Sequence, residues 1–331
     1  MVNTALSHVC ILIAIFAIAM YVLLDGFDLG VGILLLSSRH GPERDALVDS
    51  IAPVWDGNET WLILAAIVLF GAFPLAYSIL VPAFYLPFMV MLVSLAFRGV
   101  AIEFRVHTPF PRFWDGAFSI GSTLAAFAQG LVAGALLSGD IAVADGQFSG
   151  STLDVFTGFN VLTGLTAIAA YASLGAAWLR WKTRAALQHA RLPTLRIAML
   201  AFLLLAIASC CAAGTLPAVA AMWHARPALM GMLGTLGAGL WIAAFRASYT
   251  ASDLRPLLCN LATVAMLLIG LIAILWPYVV PFSLAFGAAA AEPGSQLMVA
   301  AGALVILPVI LGYNAFAYWV FRGKVDAPGG E

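Results

Sequence analysis

Apolar residues run along this chain in long stretches separated by short polar segments. Nine of these stretches read as helices, at about 8–36, 51–75, 79–105, 114–138, 155–180, 196–219, 227–248, 257–285 and 297–321. Each is long enough for the bilayer core, which takes about 20 apolar residues per helix. The runs are continuous, without the period-2 alternation of barrel strands, so the pattern predicts a helical bundle. The second and third runs are joined tightly from Phe73-Pro74 to Ser78, and Asp49 or Ser50 with Pro53 reads as the start of the second. Trp276-Pro277 and Pro281 predict a kink or an end in the eighth. The expectation is one all-α integral membrane domain over 1–331. A first group of four helices lies at 8–138 and the remaining five at 155–321.

Polar interruptions carry the chemistry. Asp25 and Asp28 sit inside the first apolar run, in Leu24-Asp25-Gly26-Phe27-Asp28-Leu29-Gly30. A carboxylate near the centre of a membrane helix costs about 2.5–3.5 kcal/mol on insertion scales, so such residues mark ion sites, proton paths or buried pairs. Three residues apart, the two share one face of the helix. The second helix adds Asp56, Asn58, Glu59 and Thr60, the third Arg98, Glu103 and Arg105, and the fourth Asp115, Ser119, Ser122, Thr123 and Gln129. Arg98 is the counter-charge for this seam, with its carboxylate partner left open by the sequence. Gly26 and Gly30 form a small-xxx-small face, which implies that the seam faces protein and not lipid. Two readings of the seam stay open here: a proton relay, and a set of ion pairs anchoring the bundle.

Composition agrees with the pattern. The 331 residues are 63% hydrophobic and 9% charged, whereas soluble domains carry about 25% charged residues. Fourteen of the fifteen Lys and Arg residues fall at the first, third, fifth and seventh connections or after the last helix, leaving Arg226 on the other side. By the positive-inside rule the N-terminus is periplasmic and the C-terminus cytoplasmic. The acidic seam then lies in the cytoplasmic half. The formal net charge of −1 and the lack of a basic stretch give no sign of nucleic acid as a partner. The N-terminal segment has no basic n-region and does not read as a signal peptide.

Other chemistries find little support. Cys10, Cys210, Cys211 and Cys259 fit no zinc or disulfide spacing. His8, His40, His107, His189 and His224 fall in loops or at membrane edges, so no mid-membrane pair is expected to ligate a haem. No phosphate-binding loop, nucleophile elbow or metal cluster is evident. The chain is expected to hold no catalytic residue, metal or haem ligand of its own. From the residues alone it is a proton-coupled secondary transporter, a subunit of a membrane enzyme, or a structural membrane subunit.

Two blocks narrow this. Asp25-Gly26-Phe27-Asp28-Leu29-Gly30-Val31-Gly32 and Ser50-Ile51-Ala52-Pro53-Val54-Trp55-Asp56-Gly57-Asn58-Glu59-Thr60-Trp61-Leu62 resemble signature blocks of subunit II of cytochrome bd-type quinol oxidases. Phe97-Arg98-Gly99, Phe104-Arg105 and Phe113-Trp114-Asp115-Gly116 resemble those that follow. The resemblance covers the first third of the chain, and the modest length is similar to that of the shorter, cyanide-insensitive branch. It implies a bacterial inner-membrane terminal oxidase that oxidises quinol and reduces oxygen to water. Haems b and d and the quinol site would lie in a partner, subunit I. This subunit would be haem-free, would stabilise subunit I and would supply part of the proton path from the cytoplasm. Asp56 would be a proton-path carboxylate with Asp25 or Asp28 as its neighbour and Glu59 beside them. Arg98 and Asp115 would be electrostatic or structural partners, a role that Glu103 is given by its position on the third helix alone. A structural quinone occurs in some members, and no motif here decides it. The implied partners are subunit I, the lipid bilayer, the quinol pool and room for a small single-span accessory subunit.

Overall fold

The structure is a computed structural model and describes residues 2–250 and 252–325. The helices are α1 (Val2–Leu35), α2 (Pro42–Asp49), α3 (Trp55–Ala72), α4 (Pro74–Ala83), α5 (Tyr85–Phe104), α6 (Pro111–Ser138), α7 (Gly158–Lys182), α8 (Ala185–Ala213), α9 (Pro217–Ala225), α10 (Pro227–Ala247), α11 (Arg255–Leu275) and α12 (Pro293–Val320). Two small antiparallel hairpins, β1–β2 (Val143–Ala144, Gln147–Phe148) and β3–β4 (Tyr278–Val280, Leu284–Ala285), sit in loops.

Each of the nine expected segments contains a helix. Among the described residues eight helices are long and apolar enough to cross a bilayer: α1, α5, α6, α7, α8, α10, α11 and α12. The expected span outside this set is the second, α3. Its 18 residues reach about 27 Å at 1.5 Å per residue, but its first two turns carry Asp56, Asn58 and Glu59 in place of apolar side chains.

Proline explains most of the shifted boundaries. The expected third span splits into α4 and α5 at Phe84, where Pro82 and Pro87 remove helix donors on either side. The eighth ends at Leu275, two residues before Pro277, and the chain turns into β3–β4 instead of continuing to 285. The second starts later than its expected Asp49 or Ser50 cap. Those residues instead finish α2, where the Ser50 hydroxyl donates to the Leu47 carbonyl at 2.7 Å. Helix α7 starts where a cap is present, with the Thr157 hydroxyl accepting from the Asn160 amide at 3.2 Å.

Helix α1 is the centre of the bundle and packs against α3, α6, α7 and α12. Two apolar clusters surround it. One gathers around Cys10 to Tyr21, the other around Phe27 to Leu35, where Phe27 stacks on Trp178 with centroids 4.1 Å apart. Asp25 lies at their junction. The closest approach is to α7: a Cβ on Gly30 would lie 1.9 Å from the Tyr171 carbonyl oxygen, and one on Gly175 would lie 2.2 Å from the Gly30 carbonyl carbon. Backbone meets backbone there, as the small-xxx-small face implies.

Charge fastens one end of this bundle. Asp115 accepts from Arg44 at 2.8 Å and from Arg105 at 2.6 Å, and Arg105 also reaches Asp45 at 2.6 Å. Arg44 further donates to the Ser38 carbonyl at 3.2 Å, and Arg191 of α8 pairs with Glu43. The C-terminal ends of α1 and α5 and the N-terminal end of α6 therefore meet through α2. Burial and the Asp115 and Asp45 carboxylates act on Arg105, and the net effect raises its already basic guanidinium.

Gly30→Ala should lower the thermal midpoint of the purified protein, because separating α1 and α7 carries an overpacking cost of about 1–3 kcal/mol or more. Gly270→Ala, where a Cβ meets nothing within 4 Å, should leave it unchanged or slightly raised. Asp115→Ala leaves two buried guanidinium groups without their shared carboxylate and should destabilise by about 3–5 kcal/mol; thermal unfolding followed by tryptophan fluorescence measures it.

Candidate functional site

The site is assembled from four helices around one guanidinium. Arg98 is fully buried near the end of α5. It donates to Asp25 Oδ1 of α1 at 2.5 Å and to Glu59 Oε2 of α3 at 2.7 Å. Asp25 has no exposed surface, whereas the Glu59 side chain is 26% exposed. One cation thus bridges an interior carboxylate and one that reaches the surface. Trp55 covers Arg98 at 5.9 Å from ring centroid to Cζ, and its ring lies 3.1 Å from where a Cβ on Gly99 would sit.

Asp28 is also fully buried, and among the described residues no cation forms a salt bridge with it. Its Oδ2 accepts from Asn58 Nδ2 at 2.7 Å, while the Tyr318 hydroxyl of α12 donates to Asn58 Oδ1 at 2.9 Å. A tyrosine donor on one side of the amide fixes its oxygen there and turns the NH2 toward Asp28. Asp28 Oδ1, Asp25 Oδ2 and Arg98 Nε have no hydrogen-bond partner among the described residues. Behind Asp25, toward the other end of α1, the Tyr171 hydroxyl donates to Gln129 Oε1 at 2.6 Å and Gln129 Nε2 donates to the Tyr21 oxygen at 2.9 Å.

A groove of about 440 Å³ runs between α3 and α5 and leads to this cluster. Asp56, Glu59 and Glu103 supply its carboxylates, and Trp55, Ile63 and Leu95 part of its apolar wall. Asp56 and Glu103 are exposed. Helix periodicity produces this arrangement: Asp56 and Glu59 are three apart on one face of α3 and Gly99 and Glu103 four apart on α5, so both pairs line the seam between the helices.

The sequence-derived candidates therefore divide in three. Asp25, Asp28, Glu59 and Arg98 come together in the interior. Asp56 and Glu103 stand on the groove wall outside the ion triad. Asp115 belongs to the separate Arg44–Arg105–Asp45 cluster. Arg44, Tyr21, Tyr171 and Tyr318 were not anticipated. Tyr318 lies four residues after Asn314 in an otherwise apolar helix, and that polar pair was its only signal. Among the described residues no three His, Cys, Asp or Glu side chains converge as a metal site.

Carboxylates spaced from a surface groove to a fully buried position can take up protons and hold them, while the fixed guanidinium limits the charge that builds up. The chain is similar to known proteins in sequence and fold. Over an alignment of 346 positions, 91% of this chain and 90% of its relative, the chain is 29% identical to the cytochrome bd-I ubiquinol oxidase subunit 2 of Escherichia coli strain K12. It is 34% identical over 160 residues, 47% of each chain, to the cytochrome bd ubiquinol oxidase subunit 2 of Bacillus subtilis strain 168. The bd oxidase structure from Geobacillus thermodenitrificans superposes with a TM-score of 0.78 over 96% of this chain and 98% of its own, at 15% identity, so the fold is shared. The family model for cytochrome bd terminal oxidase subunit II matches residues 6–321, and the chain belongs to that family.

Proposed function

We propose that this chain is the haem-free second subunit of a quinol-oxidising, oxygen-reducing complex, and that it takes protons from the cytoplasm through the α3–α5 groove. Membership of the family makes it a multi-pass component of a bacterial inner-membrane oxidoreductase, with a subunit I as partner. The finer reading rests on one observation above all. Three carboxylates on a groove, Asp56, Glu59 and Glu103, lead to Arg98, Asp25 and Asp28 in the fully buried interior.

The steps follow from charge. Asp56 and Glu103 at the groove collect protons from water. Glu59 has one end in the groove and one on Arg98, so it carries the exchange across the boundary. Arg98 keeps a compensating positive charge beside Asp25 throughout, which lowers the cost of a negative charge in the interior. From Asp28 the proton passes to the partner, whose haems would reduce oxygen and would require a proton for each electron accepted in forming water.

The distribution of Lys and Arg supports a cytoplasmic position for the groove. It lies at the ends of α3 and α5 next to the basic Arg44–Arg105 cluster, on the side where fourteen of fifteen basic residues fall. Haems b and d then belong to subunit I. The second role, stabilising that subunit, is supported by the same ionic core, which makes α1, α3 and α5 one rigid body.

Asp56→Asn should slow quinol-driven oxygen consumption by the purified complex about tenfold or more, a barrier increase of about 1.4 kcal/mol or greater, with haem content near wild type. Full activity in this variant would remove Asp56 from the path, and loss of haem would make its role structural. Arg98→Leu should instead lower the yield of assembled, haem-loaded complex, since it strands Asp25 in the interior at a cost of about 3–5 kcal/mol; absorbance of the complex drawn down by this chain reports it.

A further inference from the structure

We propose that Asp28, and not Asp25, is the buried carboxyl group that holds the proton in the resting complex. We further propose that the proton sits on Oδ1 and that Asn58, locked by Tyr318, is its positioning residue. This rests on the proton-uptake reading above and assigns roles within it.

Charge balance separates the two aspartates. The Arg98 guanidinium touches Asp25 at 2.5 Å and Glu59 at 2.7 Å, so its two pairings are already taken. Adding a proton to Asp25 would break the shortest contact of a fully buried arginine and leave it with a partner that is partly solvated. Asp25 is therefore the fixed counter-ion. Asp28 meets a neutral amide, at 2.7 Å, and no cation. As an anion it would be a third carboxylate sharing one guanidinium in a site without solvent exposure, an arrangement that low dielectric penalises heavily. As an acid it adds no charge.

The surroundings offer Asp28 no other compensation. From α3 it faces Asn58, with Glu59 already engaged by Arg98 of α5. From α12 it faces the neutral Asn58–Tyr318 pair. Of the charged groups of α6 and α7, Arg112 is exposed and the others are committed elsewhere: Asp115 to Arg44 and Arg105, Arg180 to the Ser248 and Thr250 carbonyls, and Lys182 to the Phe321 carbonyl. Gln129 and Tyr171, from the same two helices, are neutral and bonded to each other.

The amide also selects the oxygen. With the Tyr318 hydroxyl on Asn58 Oδ1, the Asn58 NH2 donates to Asp28 Oδ2, so that oxygen is the acceptor. The hydroxyl must be at Oδ1, the atom that contacts no polar protein group. In turnover the O–H bond at Oδ1 breaks as the proton moves on, and it re-forms with a proton arriving from the groove by way of Glu59. Arg98 and Asp25 stay charged throughout.

Infrared difference spectroscopy of the purified two-subunit complex, in water and deuterium oxide, tests this. A buried carboxylic acid gives a C=O stretching band that shifts on deuteration. The band should be present in wild type, lost in Asp28→Asn, and present but shifted in Tyr318→Phe, which releases the amide without removing the carboxyl group. A band that survives in Asp28→Asn, or one that does not move in Tyr318→Phe, overturns the assignment. Should Asp28→Asn fail to assemble, Tyr318→Phe decides alone. Oxygen consumption on the same samples tests the parent reading separately. Loss of the band with unchanged turnover keeps Asp28 as the protonated group and removes it from the proton path. A retained band with turnover down about tenfold, or about 1.4 kcal/mol, keeps the path and rejects the assignment.

Discussion

The guanidinium of Arg98 is the constraint on which the interior depends. Burying a positive charge is tolerable only where negative partners and donors are fixed around it. Here the partners come from α1 and α3 and the charge itself from α5. Moving any one of these helices by an ångström would break a contact of 2.5 or 2.7 Å. The apolar clusters give the bundle its cohesion, but contact between apolar side chains has little directional preference. The ion triad supplies register, and the close passage of α1 over α7 at Gly30 and Gly175 supplies proximity.

The two charge clusters divide the work. The Arg44–Asp115–Arg105–Asp45 group lies at the ends of the long apolar runs and ties α2, α5 and α6 together with every side chain paired. The inner cluster is incompletely satisfied: one oxygen each of Asp25 and Asp28, and Nε of Arg98, lack protein partners. A purely structural network would be expected to satisfy its groups. Unpartnered oxygens on two buried carboxyl groups, next to a groove with further carboxylates, fit the proposed passage of protons.

Much of this could be read from the sequence, for a physical reason. Charged residues within apolar runs are so costly that Asp25, Asp28, Glu59 and Arg98 could be singled out one by one, and helix periodicity put them at similar depth. Gly26 and Gly30 foretold close packing. Pairing was not legible. Whether Arg98 meets Asp25, Asp28, Asp56 or Glu59 depends on the rotation of three helices about their axes, and hydropathy does not encode that rotation. Asp56 and Glu59 illustrate the point, since three residues' separation sends one to the groove wall and the other to the guanidinium. Helix α2 is not legible because eight residues, four of them charged, between two long spans read as a loop, and Tyr318 because a tyrosine in a largely apolar helix is ordinary.

The hydrogen bond from Tyr318 to Asn58 spans 260 positions of sequence. Synthesis makes α1 long before α12, which carries the group that orients its neighbour's amide. Until α12 arrives, the acidic centre of α1 lacks its final arrangement, and a chain truncated before that helix carries a polar defect at membrane depth. The bond therefore makes α12 a condition for a settled interior around Asn58 and Asp28.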